Sequence, residues 1–220
     1  MDEATAKKST YHHGALREEL IRRGLEALER EGAEALSLRS LAEAAGVSKA
    51  APYRHFKDKD HFLGALADEG FRRLYAELDA ARQGTARSGE DDGVGRMGQA
   101  YMGFAIRTPA LYRLMSSSLL CRVPDESLVW ARRSLMLLAE SLAGDPKRAA
   151  IASRSAAPRA DGLDETAAAW AYIHGLTLIR IDRLYPADLP EPDWDRLARA
   201  IPKLPDAIPG RSRPDAPRRP

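Results

Sequence analysis

The eleven residues from Lys49 to Lys59 read KAAPYRHFKDK and hold three lysines, one arginine, one histidine and one tyrosine. Ammonium and guanidinium groups donate to phosphate oxygens and to the O6/N7 edge of guanine. A phenol donates from a rigid ring, and small alanines leave room for a thymine methyl. This is recognition chemistry, not bond making. The chain has no phosphate-cradling glycine loop, no His/Cys cluster at metal spacing and no recognisable Ser–His–Asp arrangement, so an α-helical enzyme is disfavoured. His12 and His13 invite a metal reading, but no carboxylate or cysteine at ligand spacing completes a site. Neither a metal nor a cofactor is expected.

Donors act only where something holds them out, and the flanking sequence supplies the frame. Ser37 is placed to cap a short helix reaching about Ala44, and Gly46 offers the positive φ of a sharp turn. Ser48 is placed to cap a second short helix ending near His55. Two such helices about a glycine-containing turn form a helix-turn-helix, whose second helix lies in the DNA major groove. Pro52, as the fourth residue of that helix, removes the bond back to the Ser48 carbonyl and makes it irregular.

Composition bounds the rest. The 220 residues are 44% hydrophobic and 30% charged, with 34 basic and 32 acidic side chains and a net charge of +2. Any affinity for nucleic acid must therefore come from where the cations sit. Lys7, Lys8, Arg39, Lys49, Arg54, Lys57 and Lys59 gather around the motif, whereas Glu18, Glu19, Glu26, Glu29, Glu31 and Glu34 must mostly face away from it. The opening MDEATAKKST has no apolar signal core, no apolar run approaches a membrane span, and Cys121 lacks an internal disulfide partner. These features predict a cytoplasmic protein, with Cys121 a core residue.

Apolar spacing predicts helices throughout, so the expected fold is all-α. A first helix runs from about 14 to 31, with Leu16, Leu20, Ile21, Gly24, Leu25 and Leu28 on one stripe and Gly32 as its stop. Asp58 is placed to cap a connecting helix to about Gln83, with Leu63, Ala67, Gly70, Leu74, Leu78 and Ala81 inward. Further helices are expected near 94–107, 109–120, 126–143, 164–185 and 193–201, with caps at Thr108-Pro109 and Asp125 and a stop at Gly144. The expected organisation is a basic arm over 1–10, a helix-turn-helix domain over 11–58, and a larger helical domain over 59–201. That domain includes the connecting helix 59–83 and a loop over 145–162; a Pro/Arg-rich disordered tail covers 202–220.

The segment resembles the TetR family of bacterial transcriptional regulators in Ser37-Leu38-Arg39, Ala42, Ala45-Gly46-Val47-Ser48 and Tyr53-Arg54-His55-Phe56-Lys57-Asp58-Lys59. Tyr11-His12-His13-Gly14-Ala15-Leu16-Arg17 and Trp170-Ala171-Tyr172-Ile173-His174-Gly175-Leu176 are similar to a branch named for a Trp–His–Gly carboxy-terminal domain. Pro52 departs from the common family pattern. The resemblance implies a homodimer that binds a palindromic operator, often as a repressor released by a small-molecule effector. The alternatives are a helical protein-interaction module and a DNA-binding protein without an effector.

Within this frame the expected DNA contacts are Ser48, Lys49, Ala50 and Ala51 on the reading turn, with Arg39 reaching a base or phosphate. Tyr53 and Lys59 match phosphate-holding family positions, and His55 lies on the same edge, with packing against the connecting helix as its alternative. Phe56 is core. Lys7 and Lys8 belong to an arm able to follow phosphates or enter the minor groove. Expected effector contacts are Met97, Tyr101, Phe104, Tyr112, Met115, Trp130, Trp170 and His174, with Met136 of the same type. The helix near 164–185 is apolar almost all round, so both sides need cover. One face (Trp170, Ile173, Thr177, Ile181) can line the interior and another (Ala168, Tyr172, Gly175, Ile179) can meet a partner helix; the pattern leaves open which does which. A last short helix carrying Trp194 would complete a dimerising four-helix arrangement.

Overall fold

The computed structural model describes residues 13–84, 93–122, 128–144 and 163–201, and among these there are helices and no strands. In order they are α1 (His13–Ala35), α2 (Leu38–Ala44), a 3-10 turn (Ala51–Arg54), α3 (Lys59–Gln83), α4 (Gly93–Arg107) and α5 (Pro109–Met115). A second 3-10 segment (Ser118–Arg122), α6 (Val129–Gly144), α7 (Leu163–Ile181) and α8 (Trp194–Arg199) follow. The expected arm, the 145–162 loop, the 202–220 tail, Asp125, Lys7 and Lys8 lie outside the described residues.

The chain divides into two compact units. One takes the chain to Glu77 together with Gly103–Ser134; the other takes Leu78–Met102 together with the chain from Leu135 onward. In the first, Leu20, Leu25 and Leu28 of α1, Leu38 and Leu41 of α2, Phe56, and Phe62, Leu66 and Leu74 of α3 form the core. Phe56 and Phe62 meet edge to face at 5.0 Å. In the second, Val94, Leu142, Ala169 and Ile201 form one buried cluster and Met102, Ile173, Trp194 and Ala198 another. Tyr172 packs against both.

Several expected helix ends are corrected. Ser37 has the extended backbone of a capping residue, but its side chain makes no cap bond. Thr108 does not cap α5 either, because its hydroxyl donates to the Phe104 carbonyl at 2.9 Å. The helix expected over 109–120 stops at Met115 and resumes as a 3-10 segment. The helix expected to reach 185 ends at Ile181, where Arg183 takes φ 54°. Gly32 does interrupt α1, at φ 80°, although helical residues continue to Ala35.

Two of these starts are capped from far away in the sequence, both within the first unit. The Glu29 carboxylate of α1 accepts from Ala110 N at 3.2 Å and Leu111 N at 2.9 Å. Asp68 of α3 accepts from Trp130 N at 3.2 Å, at the start of α6. A carboxylate at a helix N-terminus satisfies orphan donors and faces the positive end of the dipole. Burial nonetheless pushes the Asp68 carboxyl above its usual value, against the bond from Trp130.

Candidate nucleic-acid interface

The motif is built from its turn outward. Gly46 sits at φ 68°, its N–H bonds to Glu43 O and the Val47 N–H bonds to Ala42 O, both at 3.0 Å. This pair of bonds closes α2 in a Schellman motif. Beyond it the expected helix from Ser48 to His55 is reduced. Lys49 and Ala50 form a turn, and only Ala51–Arg54 is helical, as 3-10. The physical reason is Pro52. It has no N–H to close a four-residue bond on Ser48, so Ala51 N closes a three-residue bond on that carbonyl at 2.9 Å. The cap position of that turn falls on Ala50, not on Ser48 as expected.

Pro52 and Phe56 are buried, and His55 N and Phe56 N both bond to Pro52 O. The proline ring and the phenyl ring thus anchor the underside of the turn. Its outer side presents Ser48, Lys49, Ala50, Tyr53, Arg54 and Lys57 as exposed residues, with Tyr53 48% accessible. Arg39 is exposed on the first turn of α2, while Ala51 and His55 are half-buried. The His55 ring lies 6.4 Å from Phe56, between surface and core. Arg17 of α1 sets its guanidinium 5.7 Å from the Phe56 ring centre. Arg54 and Lys57, noted in the sequence only as neighbouring cations, are as open as Lys49.

Asp58 caps α3 as expected, its Oδ1 accepting from His61 N at 2.9 Å. These bonds hold its carboxyl below the ordinary range, the His61 backbone N–H first and its ring second. Lys59 does not stand free. Its ammonium donates to the Glu34 carbonyl at 2.6 Å, so a phosphate there would share it with the backbone just beyond Gly32. Glu19 is turned to Arg22 and Arg23, and Glu29 to α5. The Glu29, Glu34 and Asp68 contacts had no local signal, since their partners are 25 to 82 residues away.

The remaining candidate residues fall in both units. In the first, Phe104, Tyr112 and Met115 are buried, and the ring of half-buried Trp130 lies tilted at 5.3 Å from that of Tyr75. In the second, Met97 is buried and Met136 exposed, while Tyr101 Oη and His174 Nδ1 lie 3.3 Å apart. Trp170 is 48% exposed, 5.6 Å from the His174 ring. His174 is half-buried, and desolvation lowers its pKa. Ile173 and Thr177 are buried. Ala168 and Gly175 are half-buried and Ile179 exposed, and a Cβ at Gly175 would meet open space. Tyr172 donates to Leu197 O at 3.0 Å, and Trp194 is buried against Tyr185.

Residues 20–66 match the model for bacterial regulatory proteins of the tetR family, and residues 94–201 match a tetracyclin repressor-like C-terminal domain. The two matches together span more than two thirds of the chain. The chain belongs to the TetR family. An HTH-type transcriptional regulator of Mycobacterium tuberculosis is 30% identical over 99 residues, which are 45% of this chain and 42% of that protein. The chain thus spans less than half the length of the curated relatives it matches. A Rhodococcus sp. RHA1 protein of unknown function is 29% identical, with a TM-score of 0.67 over 88% of this chain and 94% of its own. The TetR family transcriptional regulator PfmR from Thermus thermophilus shares the fold at 19% identity, with a TM-score of 0.53 over 82% of this chain and 93% of its own. No described helix of this TetR-family chain is long and apolar enough to cross a membrane.

Proposed function

We propose that this TetR-family protein is a transcriptional regulator that binds double-stranded DNA through the exposed face of Ser48–Lys59. The observation that carries the reading is the contrast across that segment: Pro52 and Phe56 are buried while Lys49, Ala50, Tyr53 and Arg54 stand out. Lys49 reads a base edge, with Ala50 and Ala51 against thymine methyls. Tyr53, His55 and Lys59 hold phosphates, joined by Arg39 from α2 and by Lys7 and Lys8 from the arm. The protein acts in the cytoplasm as a homodimer on a palindromic operator, the family arrangement. The open space over Gly175 and the exposure of Ile179 support α7 as part of the dimer contact, with Ala168 and Tyr172 on the same helix and Trp194 in the buried cluster that Tyr172 packs against. Repression released by a small-molecule effector is the mode this reading favours. Phe104, Tyr112, Met115 and Trp130 in one unit, and Met97, Tyr101, Trp170 and His174 in the other, are the candidate effector contacts.

Fluorescence anisotropy on a labelled promoter duplex across a salt series tests the reading. Affinity should fall with salt at a log–log slope of roughly −0.9 per phosphate neutralised. Lys59→Ala should lower affinity on every sequence and reduce that slope by about 1, whereas Lys49→Ala should alter sequence preference. Weak binding indifferent to salt would reject DNA recognition and favour a protein-binding module.

A further inference from the structure

The first turn of α5 has no cap of its own. Pro109 lacks an N–H, Thr108 spends its hydroxyl on Phe104 O, and the first intrahelical bond runs from Tyr112 N to Thr108 O. The two orphan donors between them, Ala110 and Leu111, are both taken by Glu29 of α1. Packing fixes the same junction, since Gly70 of α3 lies close under Leu111 and Met115. Glu29 stands three residues before Gly32, where α1 breaks at φ 80°. Just past that break, Glu34 O accepts from Lys59 at the head of α3. The short segment from Glu29 to Glu34 is therefore tied at one end to α5 and at the other to a lysine of the nucleic-acid face.

We propose that Glu29 is a positioning residue linking DNA contact at Lys59 to the order of the α5 first turn, through the Gly32 break. The inference rests on the DNA-binding reading and goes beyond it by naming the link. A phosphate beside Lys59 draws its ammonium from the Glu34 carbonyl. That loosens or re-seats the segment beyond Gly32, and the Glu29 carboxylate carries the displacement to Ala110 and Leu111. Linkage is reciprocal: whatever disturbs the α5 start must alter the affinity of Lys59 for phosphate by the same factor.

Amide-resolved hydrogen exchange on the full chain tests this, with and without a saturating random-sequence duplex at low salt. A random duplex suffices because phosphate contact is independent of sequence. In the unsubstituted protein the duplex should change exchange at Ala110 and Leu111 several-fold. Lys59→Ala, measured at duplex saturation, should abolish that response, and so should Glu29→Ala. Glu29→Gln, which keeps one carbonyl acceptor, should restore part of it. With a merely structural cap the unsubstituted protein would show no duplex response at these amides, and a response that persists in Glu29→Ala would show that it does not pass through the carboxylate. Either result overturns the link while leaving DNA binding intact. Should Glu29→Ala fail to fold, the unsubstituted, Lys59→Ala and Glu29→Gln proteins still decide. Absence of duplex binding altogether would remove the DNA reading and the link with it.

Discussion

Helices α2 and α7 end in the same hydrogen-bond pattern, yet with opposite legibility. At the end of α2, Gly46 takes φ 68°, and bonds from Gly46 N and Val47 N return to Glu43 and Ala42. At the end of α7, Arg183 takes φ 54°, and bonds from Arg183 N and Leu184 N return to Arg180 and Ile179. Glycine adopts this conformation without steric cost; an arginine must be held there. The surroundings of α7 supply the hold. Tyr185 meets Trp194 edge to face at 5.9 Å, and the Arg180 guanidinium lies 5.7 Å over the Trp194 ring. Close packing of α8 on α4, where a Cβ at Gly98 would run into the Ala198 carbonyl, braces the same corner. One helix end is set by its own residue, the other by its neighbours.

The helix starts divide the same way. Asp193 caps α8 from three residues away, accepting from Arg196 N at 2.9 Å. Glu29 caps α5 from the other side of a long stretch of chain.

Substitutions can break this contrast. The largest effect is expected from Gly98→Ala, which overpacks the α4–α8 contact and should cost about 1–3 kcal/mol in urea unfolding. Because that contact braces the end of α7, exchange at Leu184 N should rise with it. Gly46→Ala forces a side chain into the left-handed region and should cost about 1–2 kcal/mol, with a matching loss of order in the reading turn. Glu29→Ala and Asp193→Ala should each cost roughly 1 kcal/mol as lost caps. Their footprints should differ: exchange rises around Ala110 in the first and stays within α8 in the second. Equal footprints would refute the distinction between remote and local caps. Arg183→Gly should stabilise by only about a few tenths of a kcal/mol, because relief of the left-handed strain is offset by the greater freedom of glycine in the unfolded chain.

The smallest expected effect is a pH dependence at His174. Burial lowers its folded pKa, so below the ordinary histidine range the unfolded chain takes up the proton more readily. Its contribution is thus complete at neutral pH and lost as pH falls from about 6.5. Thermal unfolding at pH 7 and pH 5 should show a smaller acid loss in His174→Gln than in the parent. An equal loss in both would place the acid sensitivity elsewhere.

The local frame of the candidate face was readable in the residues themselves. Gly46, Asp58 and Pro52 act on bonds within four positions and Phe56 was expected in the core, whereas the inward turn of Pro52 came from the structure. The shortening of the reading helix to a 3-10 turn follows from the same local chemistry, though its extent needed the structure. Less could be read where a side chain had a choice of partners. Thr108 looked like a cap, but turned back to Phe104 because Glu29 already held the donors it would have served. Trp170 sits on a helix apolar nearly all round, and only packing decided that it stays open while Ile173 and Thr177 are covered.

What the sequence determined alone is the all-helical fold, the place of the motif, the turn at Gly46 and the Asp58 cap, because each depends on groups a few bonds apart. What only the tertiary structure decided is which distant carboxylates cap α5 and α6, where Lys59 spends its ammonium, and that an arginine ends α7. Those outcomes depend on which helices are brought within hydrogen-bond reach, and no local pattern encodes a distance between residues some eighty positions apart.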